Sequence, residues 1–121
     1  MKRAIILLSS NHEAFKNIEI AKKYLSDRFD KIVFSESIES NAIGDECGIY
    51  LNAVAIVETE KRLEEMESFL KATETILGRV RGLESKGLVQ IDLDLVEWNG
   101  NVLRPKDAAR PYYVDCLNSL K

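Results

Sequence analysis

The sequence has few of the residues that build metal clusters, disulfide scaffolds or Cys-His active sites. Its 121 residues include two cysteines, one histidine and two prolines. Cys47 and Cys116 form no CxxC pair, and His12 has no second histidine to join it. This composition excludes a His-rich zinc site and argues against a Cys-His nucleophile. We expect both cysteines to be reduced and without a chemical role.

The chain also lacks an excess of positive charge and a long apolar run. Its net charge of −3 and pI near 5.3 argue against a broad nucleic-acid-binding face. The run Ala4-Ile5-Ile6-Leu7-Leu8 is too short to span a bilayer, and no small-residue cleavage site follows it. It therefore predicts a buried strand. We expect a cytoplasmic protein that binds neither nucleic acid nor membrane, as a monomer or weak homodimer.

The pattern along the chain predicts one α+β domain over residues 1–121, since no linker or low-complexity tract divides it. Strands are predicted at residues 3–8, 31–38 and 49–59, a loop at 40–45, and a fourth strand around residues 91–96. Ser10 and Glu13 fit a capping box for a first helix, and a second helix is predicted to end near Gly78. Asn99-Gly100 predicts a hairpin into a short strand at residues 102–103. The order βαββαβ favours a ferredoxin-like sandwich: a four-stranded antiparallel sheet, helices on one face and a short C-terminal extension.

Two carboxylates in one strand are the strongest chemical signal. In Ile91-Asp92-Leu93-Asp94-Leu95-Val96, strand geometry places Asp92 and Asp94 on the same face. Like charges at this spacing favour a cation between them, and carboxylate oxygens are ready ligands for Mg²⁺. The pair suggests metal-assisted phosphoryl chemistry. An edge strand with one solvated face has the same alternation, so a plain interaction module stays open at this point.

Three further features suit a nucleotide and a flat ligand. Glu74 borders the buried stripe of the second helix, and Arg79 and Arg81 follow at its end, where two guanidiniums suit phosphate oxygens. A cationic helix C-terminus has the same composition. Tyr50 and Asn52 share one strand face and offer a planar heterocycle an aromatic ring and an amide. A half-buried strand face is the alternative reading.

Taken together, these residues resemble the 6-hydroxymethyl-7,8-dihydropterin pyrophosphokinase family over nearly the whole chain. The resemblance rests on four ordered segments: Ile6-Leu7-Leu8-Ser9-Ser10-Asn11, Tyr50-Leu51-Asn52-Ala53-Val54, Glu74-Thr75-Ile76-Leu77-Gly78-Arg79-Val80-Arg81 and Ile91-Asp92-Leu93-Asp94-Leu95. They are similar to the family's opening strand and Gly-Ser-Asn turn, its Phe/Tyr-Leu-Asn-Ala, its Glu-x-x-Leu-Gly-Arg-x-Arg and its Leu-Asp-Leu-Asp-Leu.

The resemblance implies transfer of the β,γ-pyrophosphoryl group of ATP to the hydroxymethyl group of a pterin in folate biosynthesis. Two Mg²⁺ ions would bridge Asp92 and Asp94 to the phosphates, and Arg79 would complete the catalytic set. It further implies that nucleotide or phosphate is bound by Glu74, Arg81, Lys86 and Arg110. The pterin would be bound or framed by Ser40, Asn41, Ile43, Tyr50, Asn52 and Tyr112.

The chain departs from the family at its phosphate-binding loop. Ser85-Lys86-Gly87-Leu88-Val89 stands where the family has Arg-Trp-Gly-Pro-Arg, and no Pro-His segment occurs around Asp107-Ala108-Ala109-Arg110. The Thr-x-Pro of the family's pterin loop is also replaced around Ser40-Asn41. Loss of one catalytic guanidinium costs on the order of 10²-fold in rate, so slow turnover is expected. The alternative is a non-catalytic homologue that binds metal-nucleotide or pterin in a regulatory role.

Overall fold

The computed structural model describes residues 1–41, 49–78 and 89–120. Its strands are β1 (Lys2–Ser10), β2 (Lys31–Phe34), β3 (Ile38–Asn41), β4 (Ile49–Thr59), β5 (Asp92–Trp98) and β6 (Asn101–Val102). Its helices are α1 (Ala14–Ser26), α2 (Leu63–Ile76), α3 (Pro105–Ala108) and α4 (Pro111–Asn118). None of the helices in the described ranges is long and apolar enough to cross a membrane.

One antiparallel sheet organises these elements. β1 lies at its centre and pairs with β4 on one side and β5 on the other, while β2 and β3 both pair with β4 and β6 pairs with β5. The α+β class and the antiparallel sheet are thus confirmed. The described sheet has six strands, however, where the sequence predicts a four-stranded sheet and one further short strand at residues 102–103.

The extra strand arises because the predicted strand over residues 31–38 is interrupted at Ser35. Its backbone N–H donates to the Val54 carbonyl at 2.8 Å, and its hydroxyl oxygen accepts from the Val54 N–H at 2.9 Å. These bonds end the regular ladder at Phe34, and pairing with β4 resumes at Ile38. Ser40 and Asn41, predicted in a loop, belong to β3.

Alternation along β1 separates two cores. Its even-numbered apolar residues face α1 and α2, whereas its odd-numbered ones face α4, because successive side chains of a strand point to opposite sides. Tyr113 and Cys116 are the buried residues of α4 in the second core. The prediction of helices on one face therefore holds for α1 and α2 only, and the C-terminal extension covers part of the other face.

Of the predicted helix and turn signals, the capping box is wrong, whereas the helix end near Gly78 and the hairpin turn at Asn99-Gly100 are confirmed. The capping box at Ser10 is wrong: α1 begins at Ala14 after Glu13 in a left-handed conformation, and the Ser10 hydroxyl donates to the Val89 carbonyl at 3.3 Å. α2 ends beside Gly78, which has the predicted positive φ of 100°. Asn99 and Gly100 have φ values of 49° and 89°, as a type I′ hairpin turn requires.

Candidate functional site

A cavity of about 270 Å³ opens on the sheet face that carries α4. Its floor is formed by side chains from β1, β3, β4 and β5, and its wall by the residues of α3 and α4 and those that precede them. We call it the face cavity. It is lined by Leu7, Ser9, Ser40, Asn41, Tyr50, Asn52, Asp92, Asp94, Arg104, Asp107, Arg110 and Tyr112.

The two aspartates lie side by side on the floor of this cavity. Asp92 is opposite Ser9 and Asp94 is opposite Leu7 in the antiparallel pairing of β1 with β5. Leu93 between them points the other way, into the core beneath α1 and α2. Both aspartates are half-buried. The predicted common face of the two carboxylates is therefore present, on the α4 side of the sheet.

Asn52 connects three strands beneath the cavity. It is 1% exposed, and its amide oxygen accepts from the Ser9 hydroxyl at 2.9 Å. Its nitrogen donates to the Ile38 carbonyl at 3.0 Å and to the Ser40 hydroxyl oxygen at 2.9 Å. A carbonyl only accepts, so the nitrogen must face Ile38 and the amide orientation is fixed. Asn52 thus joins β1, β3 and β4 at the floor.

The wall of the cavity is an alternating row of charges. The Arg104 Nε donates to the Asp107 carboxylate at 2.5 Å, and its Nη2 lies 3.9 Å from the Asp94 carboxylate. The Arg110 Nε lies 3.9 Å from Asp107 on its other side. The hydrogen bond that Arg104 donates to Asp107, together with the charges of Asp94, Asp107 and Asp92, raises the pKa of Arg104. The guanidinium therefore stays charged beside these carboxylates.

A second cavity of about 230 Å³ lies along the outer edge of β5, beside α2. We call it the edge cavity. Asp94 and Arg104 line both cavities, so this ion pair stands at their junction. Two charged residues of α2, Glu67 and Lys71, also line it. The rest of the lining is apolar and consists of Leu70, Leu93, Leu95 and Leu103.

Glu74, for which the resemblance implies contact with nucleotide or phosphate, lines neither of these two cavities. Its carboxylate, 8% exposed, accepts from the backbone N–H of Leu93 at 2.7 Å. Leu93 stands between the two aspartates, on a stretch of β5 that pairs with β1 on its other side. Glu74 therefore fixes α2 to the aspartate strand.

The structure brings together eight of the residues predicted for the site. These eight line the face cavity: Ser40, Asn41, Tyr50, Asn52, Asp92, Asp94, Arg110 and Tyr112. The predictions for Ile43, Arg79, Arg81 and Lys86 fall outside the described residues. Val89, at the position of the family's loop arginine, is buried, and its carbonyl accepts from the Asn11 N–H at 2.9 Å. The individual roles stay predictions.

Sequence reasoning missed four residues of the face cavity: Leu7, Ser9, Arg104 and Asp107. The available signal was the spacing of Arg104, Asp107 and Arg110 at three-residue intervals after Leu103, with Pro105 at the first helical position. A helical turn places such residues on one side, where they pair. Ser9 was available from β1, because alternation puts it on the face opposite Leu8.

The oxygen-rich lining suits a hard cation but does not complete a site alone. Within the described residues, no three histidine, cysteine, aspartate or glutamate side chains are grouped so that they could hold a metal ion. Asp92 and Asp94 supply two carboxylates of the type that Mg²⁺ prefers, and Mg²⁺ commonly takes its other ligands from water and substrate phosphates. The aspartate pair fits a Mg²⁺ ion that arrives with a phosphorylated ligand.

An antiparallel α+β sheet with paired carboxylates, guanidiniums and a polar cavity is the kind of arrangement found in proteins that handle phosphorylated small molecules. The comparison with protein families narrows this class. The family model described as 7,8-dihydro-6-hydroxymethylpterin-pyrophosphokinase (HPPK) matches residues 5–121, and the chain belongs to this family. The family implies a pyrophosphate-transferring enzyme of folate biosynthesis, in agreement with the resemblance drawn from the motifs. The comparison with curated proteins finds no match.

Proposed function

We propose that the protein transfers pyrophosphate from ATP to 6-hydroxymethyl-7,8-dihydropterin in a Mg²⁺-dependent reaction. The observation that carries this proposal is the meeting of two cavities at Asp94 and Arg104. A two-substrate transfer needs both substrates held side by side, with their reacting groups at one point. Carboxylates and a guanidinium at that point suit a metal-bound polyphosphate.

The face cavity is the proposed pterin site. Tyr50 and Tyr112 offer aromatic rings to a flat heterocycle, while Ser40, Asn41 and Asn52 offer polar groups to its edge. The Asn52 nitrogen already donates to the Ser40 hydroxyl, which rotates freely. We propose that the Ser40 hydroxyl moves aside when the ligand binds. The Asn52 N–H that it leaves then donates to the ligand, while the bond to the Ile38 carbonyl keeps the amide in place.

The edge cavity is the proposed site for the nucleoside of ATP. Its apolar floor, with Leu70, Leu95 and Leu103, suits the faces of a purine, and Lys71 adds a cation at its rim. A nucleotide seated there would direct its phosphates past Arg104 toward Asp94. The β-phosphate would then lie between the nucleoside in one cavity and the hydroxymethyl group in the other.

The charge balance of the face cavity favours a divalent cation. Three carboxylates, Asp92, Asp94 and Asp107, face two guanidiniums, Arg104 and Arg110. A polyphosphate without a metal would meet this surplus of negative charge and be repelled. We propose that Asp92 and Asp94 hold Mg²⁺, up to two ions together with ATP. When bound, the metal neutralises phosphate charge and orients the transferring group.

In the proposed reaction the pterin hydroxyl oxygen forms a bond to the β-phosphorus of ATP. The bond between that phosphorus and the α,β-bridging oxygen breaks, and its electron pair stays with AMP. The hydroxyl proton is released, and the products are AMP and the pterin diphosphate. The chain's own residues hold the two substrates in line and place positive charge beside the oxygen that becomes negative.

The test is AMP release by the purified protein with ATP, Mg²⁺ and 6-hydroxymethyl-7,8-dihydropterin. Pyrophosphoryl transfer yields AMP, whereas transfer of a single phosphoryl group yields ADP. We expect AMP in an amount equal to the pterin diphosphate formed, and none when the pterin or Mg²⁺ is left out.

Production of ADP, or AMP independent of the pterin, would contradict the proposal. Mg²⁺-dependent binding of ATP without any AMP release would instead identify a non-catalytic binding homologue. Binding of neither ATP nor pterin would leave the aspartates as ordinary solvated strand residues.

A further inference from the structure

We infer that Arg104 is a catalytic residue of this chain that binds the transferring phosphates, an inference that rests on the proposed function. Among the residues the structure describes, Arg104 is the cation that lines both cavities. Lys71 lines the edge cavity alone, and Arg110 lines the face cavity alone. A group that passes from a nucleotide in one cavity to an acceptor in the other must therefore pass Arg104.

The geometry around Arg104 leaves its guanidinium free to receive phosphate. Its Nε donates to Asp107, which uses one of the five N–H groups of an arginine. Its Nη2 lies 3.9 Å from the Asp94 carboxylate, an ion pair too long for a hydrogen bond. The side chain is 50% exposed. Asp107 thus fixes the guanidinium by its inner nitrogen and directs the outer nitrogens toward Asp94 and the junction.

The approach of Asp94 to Arg104 also predicts how the site responds to its ligand. A Mg²⁺ ion bound to Asp94 would offset the negative charge of this carboxylate and weaken its attraction for Arg104. The ion would also bring phosphate oxygens close to the guanidinium. A planar guanidinium then binds two of these oxygens in a forked arrangement. Because negative charge grows on the α,β-bridging oxygen as its bond to the β-phosphorus breaks, this contact is strongest in the transition state.

Three variants separate this role from a structural one. Arg104→Ala removes the guanidinium, and Arg104→Lys keeps the charge without the fork. Lys106→Ala removes an exposed cation of α3 two residues after Arg104. Lys106 lines neither cavity, and its variant therefore serves as the matched control. Each is measured for kcat and KM, and for thermal unfolding.

Binding is measured in parallel with an ATP analogue in which methylene replaces the α,β-bridging oxygen, and with AMP. We expect Arg104→Ala to lower kcat by about 10²-fold, with the KM for the pterin unchanged. Its affinity for the analogue should fall by about 10-fold, while its affinity for AMP stays at the parental value. Arg104→Lys should recover part of kcat, and Lys106→Ala should behave as the parent.

Unchanged kcat and unchanged analogue affinity in a folded Arg104→Ala protein would overturn the inference. An equal loss of affinity for AMP and for the analogue would also overturn it, because it would place Arg104 at the nucleoside. If the parent releases no AMP, the proposed function fails. The analogue and AMP affinities then still decide whether Arg104 contacts the outer phosphates.

Discussion

At the scale of single residues, Asp94 is the carboxylate whose loss has the sharpest expected effect. It lines both cavities and faces Arg104 at 3.9 Å. We predict that Asp94→Ala abolishes the Mg²⁺ dependence of ATP binding, because the metal loses half of its protein carboxylates. Metal-free ATP affinity should stay the same or rise, since the variant removes a carboxylate that competes with phosphate for the outer nitrogens of Arg104. Calorimetry with and without Mg²⁺ measures both effects.

The matched control for this experiment is Asp115→Ala, which removes an exposed carboxylate from α4 away from both cavities. It should keep the parental Mg²⁺ dependence. Equal ATP affinity with and without Mg²⁺ in the parent protein would contradict the metal site itself.

A second residue-scale prediction concerns Asn52, whose amide joins β1, β3 and β4. Asn52→Ala leaves the Ser9 hydroxyl and the Ile38 carbonyl without this partner. We predict a loss of about 1–3 kcal/mol in the free energy of unfolding, the usual cost of an unpaired buried polar group. Pterin affinity should fall as well, by about 1–3 kcal/mol, because the ligand loses a fixed amide.

Asn41→Ala is the control for Asn52, because Asn41 lines the same cavity from an exposed position at the end of β3. Its stability in urea should stay within about 0.5 kcal/mol of the parent. An Asn52→Ala protein with parental stability would show that the three-strand network is not as described. Parental pterin affinity in a folded Asn52→Ala protein would count against the pterin site.

At the scale of elements, the contact of α2 with β5 decides how firmly the aspartates are held. One polar contact between them is the hydrogen bond that the Leu93 N–H donates to the buried Glu74 carboxylate. We predict that Glu74→Leu destabilises the fold by about 1–3 kcal/mol, because the strand N–H is left without this acceptor. Glu74→Gln keeps an oxygen at the same place and should lose less. Urea unfolding of the matched pair gives the comparison.

The same pair of variants tests whether Glu74 acts through the strand. If it does, Glu74→Leu weakens Mg²⁺-dependent ATP binding, and Glu74→Gln largely restores it. Two variants with the same strong loss of ATP affinity would instead indicate that the charge of Glu74 contacts the nucleotide, as the family resemblance implies.

The elements also show which structural features the sequence predicts well. The bounds of β4 follow from its run of β-branched and aromatic residues, and the β5–β6 hairpin follows from Asn99-Gly100, where both positive φ values are needed. These signals are local. The common face of Asp92 and Asp94 is equally local, because alternation in a strand fixes it once the strand is recognised.

Features that depend on tertiary contacts could not be predicted in this way. Ser35 interrupts its strand through two bonds to Val54, a partner distant in sequence. The Ser10 hydroxyl lies within hydrogen-bond distance of His12 and of the distant Val89 carbonyl, and it does not cap α1, which begins at Ala14. Arg104 likewise enters the site because the four-residue helix α3 lies against β5, and so short a helix has little pattern to read.

At the scale of the whole molecule, α4 covers part of the sheet face on which the site lies. Tyr113 and Cys116 are its buried residues. Burial, followed by the nearby charge of Glu97, raises the pKa of Tyr113. Burial also raises the pKa of Cys116, against a smaller opposing hydrogen bond with Ser35. The unfolded chain therefore releases both protons at a lower pH than the folded protein.

We therefore predict that stability falls in alkaline solution. The stabilisation from the two raised pKa values is complete below the unfolded values, 9.0 for cysteine and 10.0 for tyrosine, and is lost as pH rises through the folded ones. Each proton contributes a slope of up to about 1.4 kcal/mol per pH unit. Cys116→Ala should remove the loss that begins near pH 9, and Tyr113→Phe the loss that begins near pH 10. Urea unfolding at a series of pH values measures these slopes.

Tyr113→Phe also has an expected result at neutral pH. The Tyr113 hydroxyl is buried beside Glu97, and its geometry falls short of a hydrogen bond to any group that the structure describes. Its removal should therefore leave the free energy of unfolding at pH 7 within about 0.5 kcal/mol of the parent, or raise it. A large loss at pH 7 would reveal a hydrogen bond from this hydroxyl. An unchanged alkaline slope in Tyr113→Phe would show that Tyr113 ionises equally in the folded and unfolded chains.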